Sequence, residues 1–77
     1  MLNIKVLGSG CSKCKIATQL IEQIAAELKV AIALEKVEDM RAIIGYGVMS
    51  TPAVVIDGKV VHVGSVPDRA LIVGWLS

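Results

Sequence analysis

Between residues 16 and 28 the apolar side chains recur with the period of a helix, and on both flanks they recur with the period of a strand. No other feature of the chain restricts its fold so strongly. Ile16, Ala17, Leu20, Ile21, Ile24, Ala25 and Leu28 follow a repeat near 3.6 residues, while Lys15, Gln19, Glu22, Gln23 and Glu27 take the opposite face. Ahead of them Leu2, Ile4 and Val6 alternate with Asn3 and Lys5 until Gly8-Ser9-Gly10 breaks the run. Behind them Val30 to Val37 sets Val30, Ile32 and Leu34 against smaller residues and carries no breaker, so a second strand is expected directly after the helix. A strand, a helix and a strand in succession make a parallel pair joined by a right-handed crossover.

The rest of the chain extends this unit. Glu38 and Asp39 stand where acids favour a helix start, Met40, Ile43 and Ile44 supply a short apolar stripe, and Gly45 and Gly47 end it. Ala53 to Ile56 and Val60 to Val63 are β-branched runs separated by Asp57-Gly58-Lys59, a strong hairpin signal that makes these two strands antiparallel. Ser65-Val66-Pro67-Asp68 reads as a capping box, with Ser65 accepting a helix amide and Asp68 returning the bond, ahead of Leu71, Ile72, Trp75 and Leu76. The expected class is α/β, ordered β-α-β-α-β-β-α, a three-layer arrangement with helices on both faces of a four-stranded mixed sheet. No repeat or low-complexity segment suggests a linker, so residues 1–77 are expected to form a single domain.

Composition narrows the chemistry. With 55% hydrophobic residues in 77, the chain has enough apolar material for a core without cross-links, which leaves its two cysteines for other work. A net charge of +1, with no Lys/Arg run interleaved with aromatics, argues against nucleic acid as a partner. The longest apolar stretches fall short of the roughly 18–20 residues of a membrane-spanning helix, so no membrane partner is expected. Met1 to Leu7 reads as a strand that starts at once, not as a secretory leader. A cytoplasmic, reducing setting is therefore the expectation, and there a close cysteine pair more often means redox catalysis or metal binding than a structural bridge.

That pair is Cys11-Ser12-Lys13-Cys14, placed where the glycine loop becomes the first helix. Three residues of separation allow both sulfurs to lie on one side of the first turn and to close a disulfide. Unpaired amides and the helix dipole stabilise a thiolate there. Cys11, nearer the open end of the helix, gains more from this and is the expected nucleophile, whereas Cys14, tucked into the first turn, is the expected resolving thiol. Lys13 and Lys15 add a modest, screened positive charge. Far along the chain lies a second constellation, Tyr46-Gly47-Val48-Met49-Ser50-Thr51-Pro52-Ala53, in which a proline opens a strand.

Cys-x-x-Cys after the first strand, joined to Gly-Val-Met-Ser-Thr-Pro-Ala and Ile-Asp-Gly-Lys at this separation, resembles the thioredoxin superfamily. More closely, it is similar to the small redox-active disulfide proteins of bacteria and archaea, which lack thioredoxin's first strand and helix. The resemblance covers nearly the whole chain. It implies that Cys11 attacks and Cys14 resolves, that the bond before Pro52 is cis, and that Thr51 faces the active site and pairs its backbone with substrate. Gly10, Ser12 and Lys13, around the pair, complete the expected substrate-binding set. The chain also departs from the pattern: no aromatic precedes Cys11, Ser-Lys stands between the cysteines, and the first strand lacks the carboxylate that thioredoxins use for proton transfer. Water or another group must then serve Cys14, with Lys5 a candidate substitute.

Other side chains have plainer readings. His62 is expected at a solvated or edge position, Trp75 as an anchor of the last helix, and Met40 and Met49 as core filler, with Met49 the better placed of the two to line a binding surface. Tyr46 either flanks the cysteines or packs behind the second helix. The leading function is a thiol–disulfide oxidoreductase acting on protein or small-molecule disulfides, without cofactor or resident metal, recharged by a partner such as a thioredoxin-reductase-like flavoenzyme. The competing reading is a soft-metal carrier for copper or zinc through the same Cys-x-x-Cys, although such carriers run strand, helix, strand, strand, helix, strand. A protein-interaction module with a vestigial redox site is the third.

Overall fold

The computed structural model describes residues 2–8 and 12–76. Seven elements follow in the order β1 (Leu2–Leu7), α1 (Ser12–Leu28), β2 (Ile32–Val37), α2 (Met40–Gly45), β3 (Ala53–Ile56), β4 (Lys59–Val63) and α3 (Arg69–Leu76). The four strands make one mixed sheet, ordered β2-β1-β3-β4. β1 runs parallel to β2, with Leu2 opposite Ile32 and Leu7 opposite Val37. It runs antiparallel to β3, with Ile4 opposite Ile56, and β3 and β4 form the antiparallel hairpin.

Alternation along the strands divides the core between two faces. Ile4, Val6 and Val54 point to one side, where Ala17, Ile21, Ile24 and Ala25 of α1 and Ile72 and Leu76 of α3 bury them. Leu7, Ala53 and Val55 point to the other, against Ile43 of α2 and Val48. The layers are thus α1 and α3, the sheet, and α2. Among the described residues, no helix is long and apolar enough to cross a membrane.

The connections show what local pattern leaves open. β2 begins at Ile32 and not at Val30, because α1 closes with Lys29 N–H donating to the Ala26 carbonyl and Val30 N–H to the Ala25 carbonyl. That bonding pattern is a Schellman motif, and it places Lys29 in the left-handed region at φ 56°. The Asp57-Gly58 turn has positive φ at both residues, 50° and 83°, which matches the twist of a hairpin. Asp57 Oδ1 also accepts the Asn3 amide at 3.1 Å, tying the turn to β1. An irregularity in the β3–β4 register leaves Val61 between the paired Val60 and His62.

Two helix starts differ in outcome. Asp39 caps α2 by accepting the Arg41 amide at 3.0 Å, as its position before the apolar stripe suggests. The expected capping box at α3 does not form. Asp68 itself accepts the Leu71 amide at 2.9 Å, while Ser65 Oγ is engaged with His62 Nε2 at 2.9 Å. Pro67, buried immediately ahead of Asp68, starts the helix three residues later than the box would.

Candidate functional site

Gly8, the residue that ends β1, is where the two sequence constellations meet. Its amide donates to the Val37 carbonyl at 2.9 Å, which carries the parallel ladder one step past the strand. Helix α1 starts at Ser12, so Cys14 lies in its first turn and is 7% exposed. A Cβ built on Gly8 would overlap Cys14 Sγ, and would stand 3.3 Å from Cys14 Cβ and 3.7 Å from Thr51 Cβ. The missing side chain of Gly8 is thus the space that the Cys14 sulfur and the Thr51 side chain share. In the sequence Gly8 reads only as a strand breaker. Its position directly after an apolar strand and six residues before Cys14 is the signal that a packing contact stood there.

Cys14 is held from both directions along its helix. One turn on, buried Thr18 donates its hydroxyl to the Cys14 carbonyl at 2.9 Å. Toward the N-terminus lie the amides of the first turn, which have no partner within the helix and whose partial positive charge favours an anion. Ser12, Lys13 and Lys15 are exposed around it. Gly10 and Cys11, expected to belong to the site, lie outside the described residues.

On the far side of Gly8 the Thr51–Pro52 peptide bond is cis. Thr51 is exposed and Pro52 is buried. The Pro52 carbonyl accepts the Gly64 amide at 2.9 Å, so the end of β4 braces the loop that presents Thr51. Thr51 also lines a groove of about 610 Å³ with Met40, Ile43, Ile44, Val48 and Met49.

Several sequence expectations fall elsewhere. Met40 and Met49 are not core filler, being 56% and 99% exposed, and of the Met40, Ile43 and Ile44 stripe only Ile43 is buried. Tyr46 packs against the α2-side core. Lys5 lies on that same face of β1, opposite to the one that α1 covers, with its Nζ 3.3 Å from Tyr46 Oη and 3.6 Å from Glu35 Oε2. The bond to Tyr46, assisted by Glu35, holds the Lys5 ammonium above its ordinary value. A cation fixed in that way is a poor donor near neutral pH, and its partners are Tyr46 and Glu35. His62 sits on edge strand β4, its ring centroid 6.1 Å from that of Trp75, and Trp75 packs on the α1–α3 core. Among the described residues no group of three or more His, Cys, Asp or Glu side chains gathers as a metal site would require.

The comparisons with known proteins agree with this fold. A family model described as the thioredoxin domain matches residues 2–77. A thioredoxin of Methanothermobacter thermautotrophicus is 27% identical over 77 residues, covering 100% of both chains. A thioredoxin of Methanocaldococcus jannaschii is 31% identical over 65 residues, 80% of this chain and 76% of that one. The solution structure of the oxidised thioredoxin from Plasmodium falciparum superposes with a TM-score of 0.70 over 99% of this chain and 82% of that chain. At 19% identity that likeness shows the fold alone.

Proposed function

This chain belongs to the thioredoxin family, and from that premise we propose that it is a thiol–disulfide oxidoreductase working through Cys11 and Cys14. The observation that supports this most directly is the packing of the Cys14 sulfur and Thr51 on the bare backbone of Gly8, at the N-terminus of α1. The Cys11 thiolate attacks one sulfur of a substrate disulfide, forming a mixed disulfide and releasing the other substrate sulfur as a thiolate that takes a proton. Cys14 then loses its proton, to water or to the departing thiolate, and attacks Cys11. Its attack expels the second substrate sulfur and leaves the Cys11–Cys14 disulfide. Two electrons have passed from the pair to the substrate, and a reductant, such as a thioredoxin-reductase-like flavoenzyme in a cytoplasmic setting, restores them.

In this scheme Thr51, ahead of Pro52, offers its backbone to the substrate strand, while Ser12 and Lys13 border the approach. Burial of Cys14 keeps it from external disulfides, which supports its role as the resolving thiol. The soft-metal reading finds no comparable support, because the element order differs from that of such carriers.

The test is a redox titration. Free thiols are trapped and the intact protein is weighed across graded ratios of reduced to oxidised dithiothreitol, with chelator present. A single two-electron transition between dithiol and disulfide is expected, absent in Cys11→Ser. Failure to form an intramolecular disulfide at any ratio would end the oxidoreductase reading.

A further inference from the structure

The last rung between β3 and β4 is only half made. Ala53 pairs with Val63, which sets Pro52 opposite Gly64 at a position where an antiparallel ladder exchanges two hydrogen bonds. Proline has no N–H to give, so a single bond is all this pair can carry, and it runs from the Gly64 amide to the Pro52 carbonyl at 2.9 Å. The placement of Pro52 against β4 therefore depends on where Gly64 aims its amide. Gly64 does not fix that by itself. At φ 90° it lies in a region open to glycine, whose backbone has the most freedom and no side chain to anchor it.

Two side chains close the turn around Gly64. His62 Nε2 and Ser65 Oγ meet at 2.9 Å across it. His62 is held in turn from the α1–α3 side: it stands opposite Val54 on β3, whose side chain belongs to that core, and its ring is 6.1 Å from that of Trp75 in α3. Neither partner is spent elsewhere on the helix start, because Asp68 supplies the cap of α3. A Cβ on Gly64 would stand 3.6 Å from Ser50 Cβ, so the same turn abuts the residue before Thr51.

Resting on the oxidoreductase reading, in which Thr51 offers its backbone to a polypeptide substrate, we infer that His62 and Ser65 are positioning residues for that reaction. Their hydrogen bond holds the turn that aims the Gly64 amide at Pro52, and through Pro52 it keeps the Thr51 backbone in place beside the Cys14 sulfur. The pair touches no reacting atom. It orders the Thr51 backbone before substrate arrives, so its loss weakens the binding of any substrate that pairs along that backbone and leaves the sulfur chemistry as it was. A small disulfide without peptide groups makes no such pairing and does not sense the loss.

The experiment uses the full reduced chain and two probes, a disulfide-bonded peptide and bis(2-hydroxyethyl) disulfide. Single-turnover oxidation by excess probe, quenched in acid and weighed as intact protein, gives a limiting rate and a half-saturation concentration. Ser65→Ala should raise the half-saturation concentration for the peptide about fivefold, the equivalent of one hydrogen bond of ordinary net strength. Its limiting rate, its rate with bis(2-hydroxyethyl) disulfide and its dithiol–disulfide potential should match wild type. His62→Asn should behave like Ser65→Ala, whereas His62→Gln should restore peptide binding, because a Gln amide reaches about as far as Nε2 and an Asn amide only as far as Nδ1. Hydrogen exchange at the Gly64 amide should be faster in Ser65→Ala, and circular dichroism confirms that each variant is folded.

A Ser65→Ala chain equal to wild type on the peptide, or slowed alike on both probes, would overturn the proposal and leave the oxidoreductase reading standing. So would unchanged exchange at Gly64, or a His62→Gln chain no better than His62→Asn. If neither probe oxidises the wild-type chain, the oxidoreductase reading falls and the positioning role falls with it.

Discussion

Gly8→Ala adds one methyl group at the contact on which the site is built. Gly8 is outside the left-handed region, so its backbone accepts alanine, and the cost comes from contact alone. The new Cβ would overlap Cys14 Sγ, whose helix is fixed by the core positions Ala17, Ile21 and Ile24. Overpacking of a closed contact costs roughly 1–3 kcal/mol, while the smaller entropy of the unfolded alanine chain returns about 0.4–1 kcal/mol. The net destabilisation expected is about 1–2 kcal/mol, each kcal/mol corresponding to roughly 4–8 °C in Tm at this chain length. Urea denaturation followed by circular dichroism, with dithiothreitol present so that no disulfide contributes, measures it directly.

The diagnostic arm is a double-mutant cycle. In a Cys14→Ala background the sulfur is gone and the nearest remaining contact is Cys14 Cβ at 3.3 Å, which a few tenths of an ångström relieve. Gly8→Ala should then cost less than about 0.5 kcal/mol, giving a coupling of at least about 0.5 kcal/mol between positions 8 and 14. Equal costs in the two backgrounds would show that the sulfur does not occupy the space Gly8 leaves, and the account of the site would be wrong at its centre.

Three further outcomes follow from the connections. Lys29→Gly relieves a left-handed residue at the α1 terminus and should stabilise the protein by about 0.5–1 kcal/mol; an unchanged or lower urea midpoint would contradict the Schellman geometry. Asp68→Ala should cost about 1 kcal/mol as loss of the α3 cap, whereas Ser65→Ala should cost distinctly less; a reversed ranking in thermal denaturation would restore Ser65 as the cap. Arg69, hydrogen-bonded to Glu27 across α1 and α3, holds that carboxyl below its ordinary 4.5. Because the folded value is the lower one, the pair's contribution is present above the unfolded value and lost as pH falls through the folded one. The stability advantage of wild type over Glu27→Gln should therefore shrink on acidification below about pH 4.5, and a gap that widens there would refute the sign.

The strands and helices themselves were legible because each rests on a local repeat. Alternation in residues 2–7, the 3.6-residue stripe of residues 16–28 and the Asp57-Gly58 turn between two β-branched runs state their conformations within a few residues. Asp39 was readable as a cap for the same reason, since its partner is two residues away. Where a competing partner came from farther off, the local reading failed. Ser65 has the chemistry of a cap, but the His62 ring on β4 engages its hydroxyl, and Pro67 and Asp68 supply the helix start. Lys29 carries no sign of a left-handed cap, because that conformation is imposed by packing Val30 back onto the α1-side core.

The site divides along the same line. Sequence by itself determined the residue types and the separation of the two constellations, Cys-x-x-Cys and Thr-Pro, because motif and spacing are properties of the string. Only the tertiary structure decided that Gly8 is the surface on which Cys14 and Thr51 meet, that Lys5 is bound to Tyr46 and Glu35 on the α2-side face, and that Met40 and Met49 stand in water beside Thr51. A methionine at helical spacing has the same sequence signature whether it faces a core or a groove. The difference lies in whether another element arrives to cover it, and over Met40, Ile44 and Met49 no described element does. Burial is a property of pairs of segments distant in the chain, fixed by the sheet order β2-β1-β3-β4 and the short helix α2 on its second face.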